Sequence, residues 1–220
     1  MRSVRGGTFP ARAAVALLAT VIAPLHAAAA AFDVPSPEEI FQRVFTTHVG
    51  MSGVVSADAE LKLRVAKPVS APPDCVFHAV TRYDQGRQIM TIKDRTSGTI
   101  CWAVQQYAPS QLFDMRKALE DVLPLFDFTV LGVKLVGDNH SYLIEGKARD
   151  LNKANPIGIT VWVDYDRGLL TEGTLFYRWG TVDFEQEYAP LNGGWVLAHQ
   201  YIYTSRFDAS VEVSYSNFRV

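Results

Sequence analysis

Residues 156–220 read PIGITVWVDYDRGLLTEGTLFYRWGTVDFEQEYAPLNGGWVLAHQYIYTSRFDASVEVSYSNFRV, and this stretch decides the fold. Apolar and polar residues alternate with a period of two, and Gly, Asn and Asp interrupt the alternation at short intervals. That is the signature of strands joined by tight turns. It predicts strands over 157–165, 169–179, 182–190, 195–205 and 209–219, with turns at Asp166-Arg167-Gly168, Gly180-Thr181, Asn192-Gly193 and Arg206-Phe207-Asp208.

Each turn sets a register. Folding about Gly180-Thr181 pairs Trp179 with Val182, Tyr177 with Phe184 and Leu175 with Gln186. Folding about Asn192-Gly193 pairs Tyr188 with Leu197, Gln186 with His199, Phe184 with Tyr201 and Val182 with Tyr203. A loop at 206–208 pairs Tyr203 with Val211, Tyr201 with Val213 and His199 with Tyr215. A slip of one residue exchanges the faces of a strand, and these three turns keep one apolar, aromatic-rich set together. Val161 and Val163 extend that set onto the preceding strand. Arg178, Asp183, Glu185, Glu187, Gln200 and Arg206 fall on the other face. The expectation is an antiparallel meander with one apolar and one wet face.

Upstream, Ser36-Pro37-Glu38-Glu39 starts a helix with a capping box. Ile40, Phe41, Val44 and Phe45 follow at helical spacing, giving a helix over 37–49 with an apolar stripe. Residues 54–66 alternate Ala57, Ala59, Leu61, Leu63 and Val65 against Asp58, Glu60, Lys62 and Arg64, as a half-buried strand does. Further strands are expected at 76–83, 87–94, 99–107, 127–136 and 140–149. A second helix over 111–122 carries Leu112, Met115 and Leu119 on one face. About eleven strands and two short helices describe a mainly β (α+β) fold. It is a strongly curved antiparallel sheet forming an open, incomplete β-barrel, with the helices covering its concave face.

The chain has 220 residues. Residues 1–31 combine Arg2, Arg5 and Arg12, the apolar run 13–23, Pro24 and the run Ala27–Ala31, the form of a secretory signal peptide. The remainder, 32–220, suits one domain. The leader holds three of the 21 Lys and Arg and none of the 23 acids, so the net charge after its removal is about −5. A mildly acidic chain without basic clusters is a poor nucleic-acid binder.

Cys75 and Cys101 meet an oxidising compartment after export, which favours a disulfide. If both residues began strands of one meander, they would sit roughly 10 Å apart, too far for a bridge. The bridge therefore needs Cys75 folded back in the Pro-rich loop before its strand; the alternative is two buried thiols. His48, His78, His140 and His199 have no His or Cys neighbours at ligand spacing, so no metal site is expected. Ser52 in Gly50-Met51-Ser52-Gly53 follows a helix and lacks the second glycine of a nucleophile elbow. Asp183, Glu185 and Glu187 share one strand face and are compatible with a solvated surface or with carboxylate-dependent hydrolysis. Gln186 and His199 interrupt the apolar face as a satisfied core pair or as a polar anchor in a ligand cavity. The aromatics are equally compatible with filled core and with the wall of a pocket.

Gly158 to Gly168 (GITVWVDYDRG), followed by Leu169-Leu170, and the ending Tyr215-Ser216-Asn217-Phe218 carry a resemblance. Together with the order of helices and strands, they make the chain similar to the LolA/LolB-like superfamily of periplasmic lipoprotein carriers and lipoprotein-sorting proteins. The resemblance implies a soluble periplasmic carrier, without catalytic residues or cofactors. It would hold the acyl chains of a lipid or lipoprotein in a hydrophobic cavity and work as a monomer, with an envelope transport partner. Trp179, Tyr188, Tyr203 and the rest of the apolar set would wall the cavity. Phe41, Phe45, Leu112, Met115 and Leu119 would form its lid. Arg64 stands where such carriers have a lid-closing arginine, but its surrounding residues differ, and the role is not carried over.

Overall fold

A computed structural model describes residues 33–50, 54–65, 75–84, 87–98, 101 and 120–220. Helix α1 spans Pro37–Gly50. The Ser36 hydroxyl accepts the Glu39 backbone N–H at 3.2 Å, which satisfies one of the helix's orphan donors. Glu38 and Glu39 place negative charge against the positive end of the helix dipole. Ile40, Phe41 and Val44 are buried along one stripe, as their spacing requires.

Ten strands follow: β1 (Ser56–Val65), β2 (Cys75–Asp84), β3 (Arg87–Arg95), β4 (Phe126–Val136), β5 (Asn139–Ala148), β6 (Gly158–Asp164), β7 (Leu169–Tyr177), β8 (Gly180–Leu191), β9 (Gly194–Thr204) and β10 (Ala209–Arg219). They form one antiparallel sheet in the order β3-β2-β1-β10-β9-β8-β7-β6-β5-β4. Among the described residues the sheet is open, with β3 and β4 as its edges. All neighbours are consecutive in sequence except β1 and β10, the first strand and the last.

The sheet is strongly curled. Gln88 on β3 and Tyr215 on β10 lie roughly 14 Å apart along the sheet, three strand spacings, yet Gln88 Nε2 donates to the Tyr215 hydroxyl at 2.7 Å. Burial with Tyr83 of β2 nearby pushes the phenol of Tyr188, on β8, well above its ordinary range. The Gln88–Tyr215 bond thus brings β3 against β10 across the interior.

Three expectations about register need correction. The β7–β8 turn is Arg178-Trp179, not Gly180-Thr181, so Leu175 pairs with Val182 and Gly173 with Phe184. Gly180 marks a close approach: a Cβ there would run into the Ser205 hydroxyl, which accepts the Thr181 N–H at 2.7 Å. In β8–β9, Tyr188 pairs with Leu197 as expected, but a bulge then leaves Ala198 unopposed. Glu187 therefore pairs with His199, Gln186 with Gln200, Glu185 with Tyr201, Phe184 with Ile202 and Asp183 with Tyr203. The β9–β10 turn takes four residues, with Asp208 at φ 46°, so Tyr203 pairs with Ser210 and His199 with Ser214. A bulge inverts the alternation beyond it. Gln200, expected on the wet face, is fully buried, while His199 and Tyr201 turn outward.

The expected strand at 99–107 is not what Cys101 belongs to: Cys101 is helical, and 102–119 lie outside the described residues. This removes the objection to a disulfide. Cys75 and Cys101 are bonded, with Cα atoms 5.5 Å apart, although Cys75 opens β2 and does not sit in the preceding loop. The leader 1–31, Ser52, Leu112, Met115 and Leu119 also lie outside the described residues.

Candidate functional site

Helix α1 is pinned over the β6–β7 turn. Arg43 donates to the Asp166 carbonyl at 3.1 Å and lies 4.7 Å from the Tyr165 ring centroid, and the Tyr165 hydroxyl donates to Glu39 Oε1 at 3.1 Å. Gly168, at φ +67°, lies against the helix: a Cβ there would meet the Thr47 hydroxyl and the Arg43 carbonyl. The other side of α1 faces β4, with Phe41 and Phe128 edge to face at 4.9 Å between centroids.

Between α1 and the start of β4 lies a groove of about 690 Å³, within the size range of small-molecule sites. Its walls are Phe41, Phe45, Leu123, Pro124, Phe126 and Phe128, with Glu38, Gln42, Thr46 and Arg149 at the rim. Arg149 is anchored: its Nε donates to Asp127 Oδ1 at 2.7 Å, and NH1 reaches the Pro124 carbonyl at 3.4 Å. The groove is an aromatic slot with a charged lip.

Phe41 and Phe45, expected in the lid, line this groove; none of the residues expected as cavity wall does. Val161, Val163, Leu175, Phe184, Leu197, Val213 and Tyr215 are buried, and Tyr177 and Tyr188 are partly buried beside the same core. Trp179 is 40% exposed at the β7–β8 turn and stacks on Tyr177. His199 Nε2 lies 3.1 Å from Glu212 Oε1 on the outer face, so the expected Gln186–His199 pair does not form. Tyr201 is 36% exposed, and the Tyr203 hydroxyl donates to Asp208 Oδ1 at 3.1 Å. The groove residues of β4 were in the sequence as Phe126 and Phe128, but their meeting with α1 joins segments far apart in the chain.

The inner face also carries a polar string. The Tyr215 hydroxyl, holding the Gln88 amide, donates to Gln200 Oε1 at 3.4 Å. The Tyr188 hydroxyl lies 3.0 Å from both Gln186 Oε1 and the Leu170 carbonyl. Among the described residues, four buried side-chain atoms have no hydrogen-bond partner: Thr81 Oγ1, Arg95 Nε, Gln200 Nε2 and Thr204 Oγ1. Each such atom costs about 1–3 kcal/mol.

On the outer face, a cleft of about 240 Å³ collects Asp164, Glu172, Glu185 and Glu187 with Lys134, Ser141 and Thr171. Glu172 and Glu185 are direct cross-strand neighbours. Lys134 pairs with Glu172 at 3.1 Å, and Arg167 lies 3.5 Å from Asp164. Asp183 is held apart from this cleft by the Thr174 and Thr181 hydroxyls.

No protein-family profile and no curated protein matches the sequence. Solved structures do. A DUF1329 family protein from Desulfovibrio piger aligns over 83% of this chain and 92% of its own, with 12% identity and a TM-score of 0.54. A LolA superfamily protein from Nitrosomonas europaea aligns over 85% and 94%, with 8% identity and a TM-score of 0.52. A domain from Vibrio parahaemolyticus, described as outer membrane lipoprotein-sorting, aligns over 82% and 90%, with 13% identity and a TM-score of 0.51. The chain therefore has the fold of the LolA superfamily and of outer membrane lipoprotein-sorting domains.

Proposed function

We propose that the protein is an exported, periplasmic, non-catalytic carrier that holds acyl chains of a lipid or lipoprotein in the groove between α1 and β4. The observation that carries this reading is the aromatic slot of about 690 Å³ under a single amphipathic helix. Moving an acyl chain out of water is worth roughly 0.8 kcal/mol per CH₂, so such a slot binds without chemistry. The shared fold supports the same reading. Residues 1–31 act as the leader, the remainder functions as a monomer, and an envelope partner takes the cargo when α1 lifts.

Native mass spectrometry of protein recovered from a periplasm is expected to show bound lipid, and the stripped protein is expected to take up a fluorescent fatty acid. Bare polypeptide together with no uptake rejects the carrier. Phe45 is half-buried and lines the slot, so Phe45→Asp is expected to abolish uptake while leaving the circular dichroism spectrum unchanged.

The outer acidic cleft favours a second reading, a carboxylate-dependent hydrolase. Two of its four carboxylates already answer to cations, which leaves Glu185 and Glu187 for chemistry. Turnover of chromogenic glycosides by the wild type, lost in Glu185→Gln, supports that reading over the carrier.

A further inference from the structure

Strand pairing gathers the start of β4, the loop 149–157 and the β7–β8 and β9–β10 turns at one end of the sheet. Phe126 pairs with Ala148, Gly158 with Phe176, Tyr177 with Gly180, and Thr204 with both Val182 and Ala209. Hydrogen bonds join these segments into one rim. The Arg149 N–H donates to the Leu125 carbonyl at 2.9 Å, the Arg178 guanidinium to the Leu151 carbonyl, and the Ser205 N–H to the Thr181 carbonyl at 3.1 Å.

The rim exposes apolar side chains. Leu151 and Phe207 are more than half exposed, and Trp179 is exposed while stacked on Tyr177 at 4.6 Å between centroids. Single exposed apolar residues are ordinary on a protein surface; here they sit on adjoining turns. Arginines accompany them. Arg206 lies 5.6 Å from the Trp179 ring centroid and 5.3 Å from that of Phe207. Among the described residues, neither Arg178 nor Arg206 ion-pairs with a carboxylate. Asp127, Asp150 and Asp208, on the same end, already answer to Arg149, Lys153 and the Tyr203 hydroxyl. The opposite end is arranged differently. There Arg167 lies over Trp195 but also 3.5 Å from Asp164, and Arg219 pairs with Asp58 at 2.8 Å.

Unneutralised guanidinium groups beside exposed Trp and Phe rings suit the headgroup layer of an anionic bilayer. Its phosphates answer the arginines, and its half-polar zone takes the rings. A protein face would have to supply carboxylates and fitted pockets for side chains on separate turns, whereas a fluid bilayer adapts to each.

We propose that this rim docks the protein on the surface of an anionic phospholipid bilayer. Leu151, Trp179 and Phe207 enter the headgroup layer, and Arg178 and Arg206 meet lipid phosphates. Docking does not depend on what the groove between α1 and β4 holds.

The test uses the exported protein recovered from a periplasm and vesicles of two compositions: phosphatidylglycerol with phosphatidylethanolamine, and phosphatidylcholine alone. Cosedimentation is expected with the anionic vesicles and at least about tenfold weaker with phosphatidylcholine. It is expected to be lost in about 1 M salt, where charges are screened beyond roughly 3 Å. Arg178→Gln with Arg206→Gln is expected to weaken binding about 25-fold, about fivefold for each charge. Trp179→Ser with Phe207→Ser is expected to weaken it at least about tenfold. Arg167→Gln, at the opposite end, is expected to change nothing. Equal binding of the wild type to both compositions overturns the proposal, and this comparison needs no variant to fold. An equal loss in Arg167→Gln overturns the assignment to this rim. Binding to neither vesicle overturns the bilayer as partner, and capture of an envelope protein by a photocrosslinking residue at position 207 then assigns the rim to a protein. These variants lie outside the groove, so uptake of a fluorescent fatty acid is expected to persist in them. Failure of docking with uptake intact overturns the rim and leaves the carrier reading standing.

Discussion

Asp166 shows how one side chain ties the helix-bearing turn to the β4–β5 hairpin. The His140 backbone N–H donates to its Oδ2 at 2.6 Å, and the His140 ring lies 3.0 Å away. The backbone bond is the main reason that its carboxyl titrates below its ordinary 3.8; desolvation opposes this, while the His140 ring and Arg43 reinforce it. The unfolded chain therefore takes up this proton first. The stabilisation is complete above the ordinary value and disappears as pH falls through the lower folded value. Asp166→Asn is expected to lower the urea midpoint at pH 7, and the gap to wild type is expected to close below pH 4. Gly168, in the same turn, is a separate case. Its left-handed backbone and the nearby Thr47 hydroxyl both exclude a side chain, so Gly168→Ala is expected to lose at least about 1–2 kcal/mol in urea denaturation.

Among the elements, β9 turns on one extra residue. Its sequence alternates cleanly, and the hairpin at Asn192-Gly193 was legible because both residues adopt positive φ. Ala198 was not legible as a bulge, because nothing in its residue type distinguishes it from a regular strand position. The β9 residues beyond it, from His199 to Tyr203, were therefore expected on the wrong face, while their β8 partners were not. The β10 register escaped a second inversion of its inner set because the four-residue turn shifted it again, leaving Val213 and Tyr215 inside. Deleting Ala198 is expected to drive His199 and Tyr201 inward and Gln200 outward. Loss of a cooperative thermal transition is the measurement that shows it. The disulfide was legible as a pairing, but its geometry was not, since Cys101 carries no sign that it leaves the meander for a helix. It closes a separation of 26 residues, so replacing both cysteines by alanine is expected to cost about 3.5 kcal/mol at 25 °C by loop entropy, read from denaturant midpoints.

For the whole molecule, the open sheet and its helical cover were readable from periodicity and turn residues, because those are local signals. The groove was not, because it forms where residues 38–46 meet residues 123–149, and no local pattern records such a meeting. Ligand at a hundredfold excess over its dissociation constant is expected to raise unfolding stability by about 2.7 kcal/mol, measured in urea with and without oleate. The same topology bears on how the chain is made. β1 lies between β2 and β10, and Leu63 meets Val211 while Ala59 meets Tyr215. These partners are on the order of 150 residues apart, and such distant pairings form slowly because the intervening loop must close first. The second edge of β1 thus stays unsatisfied until the last strand exists. A nascent chain with this connectivity cannot close its sheet at β1 until the C-terminal strand has been made, so the fold locks last where its two ends meet.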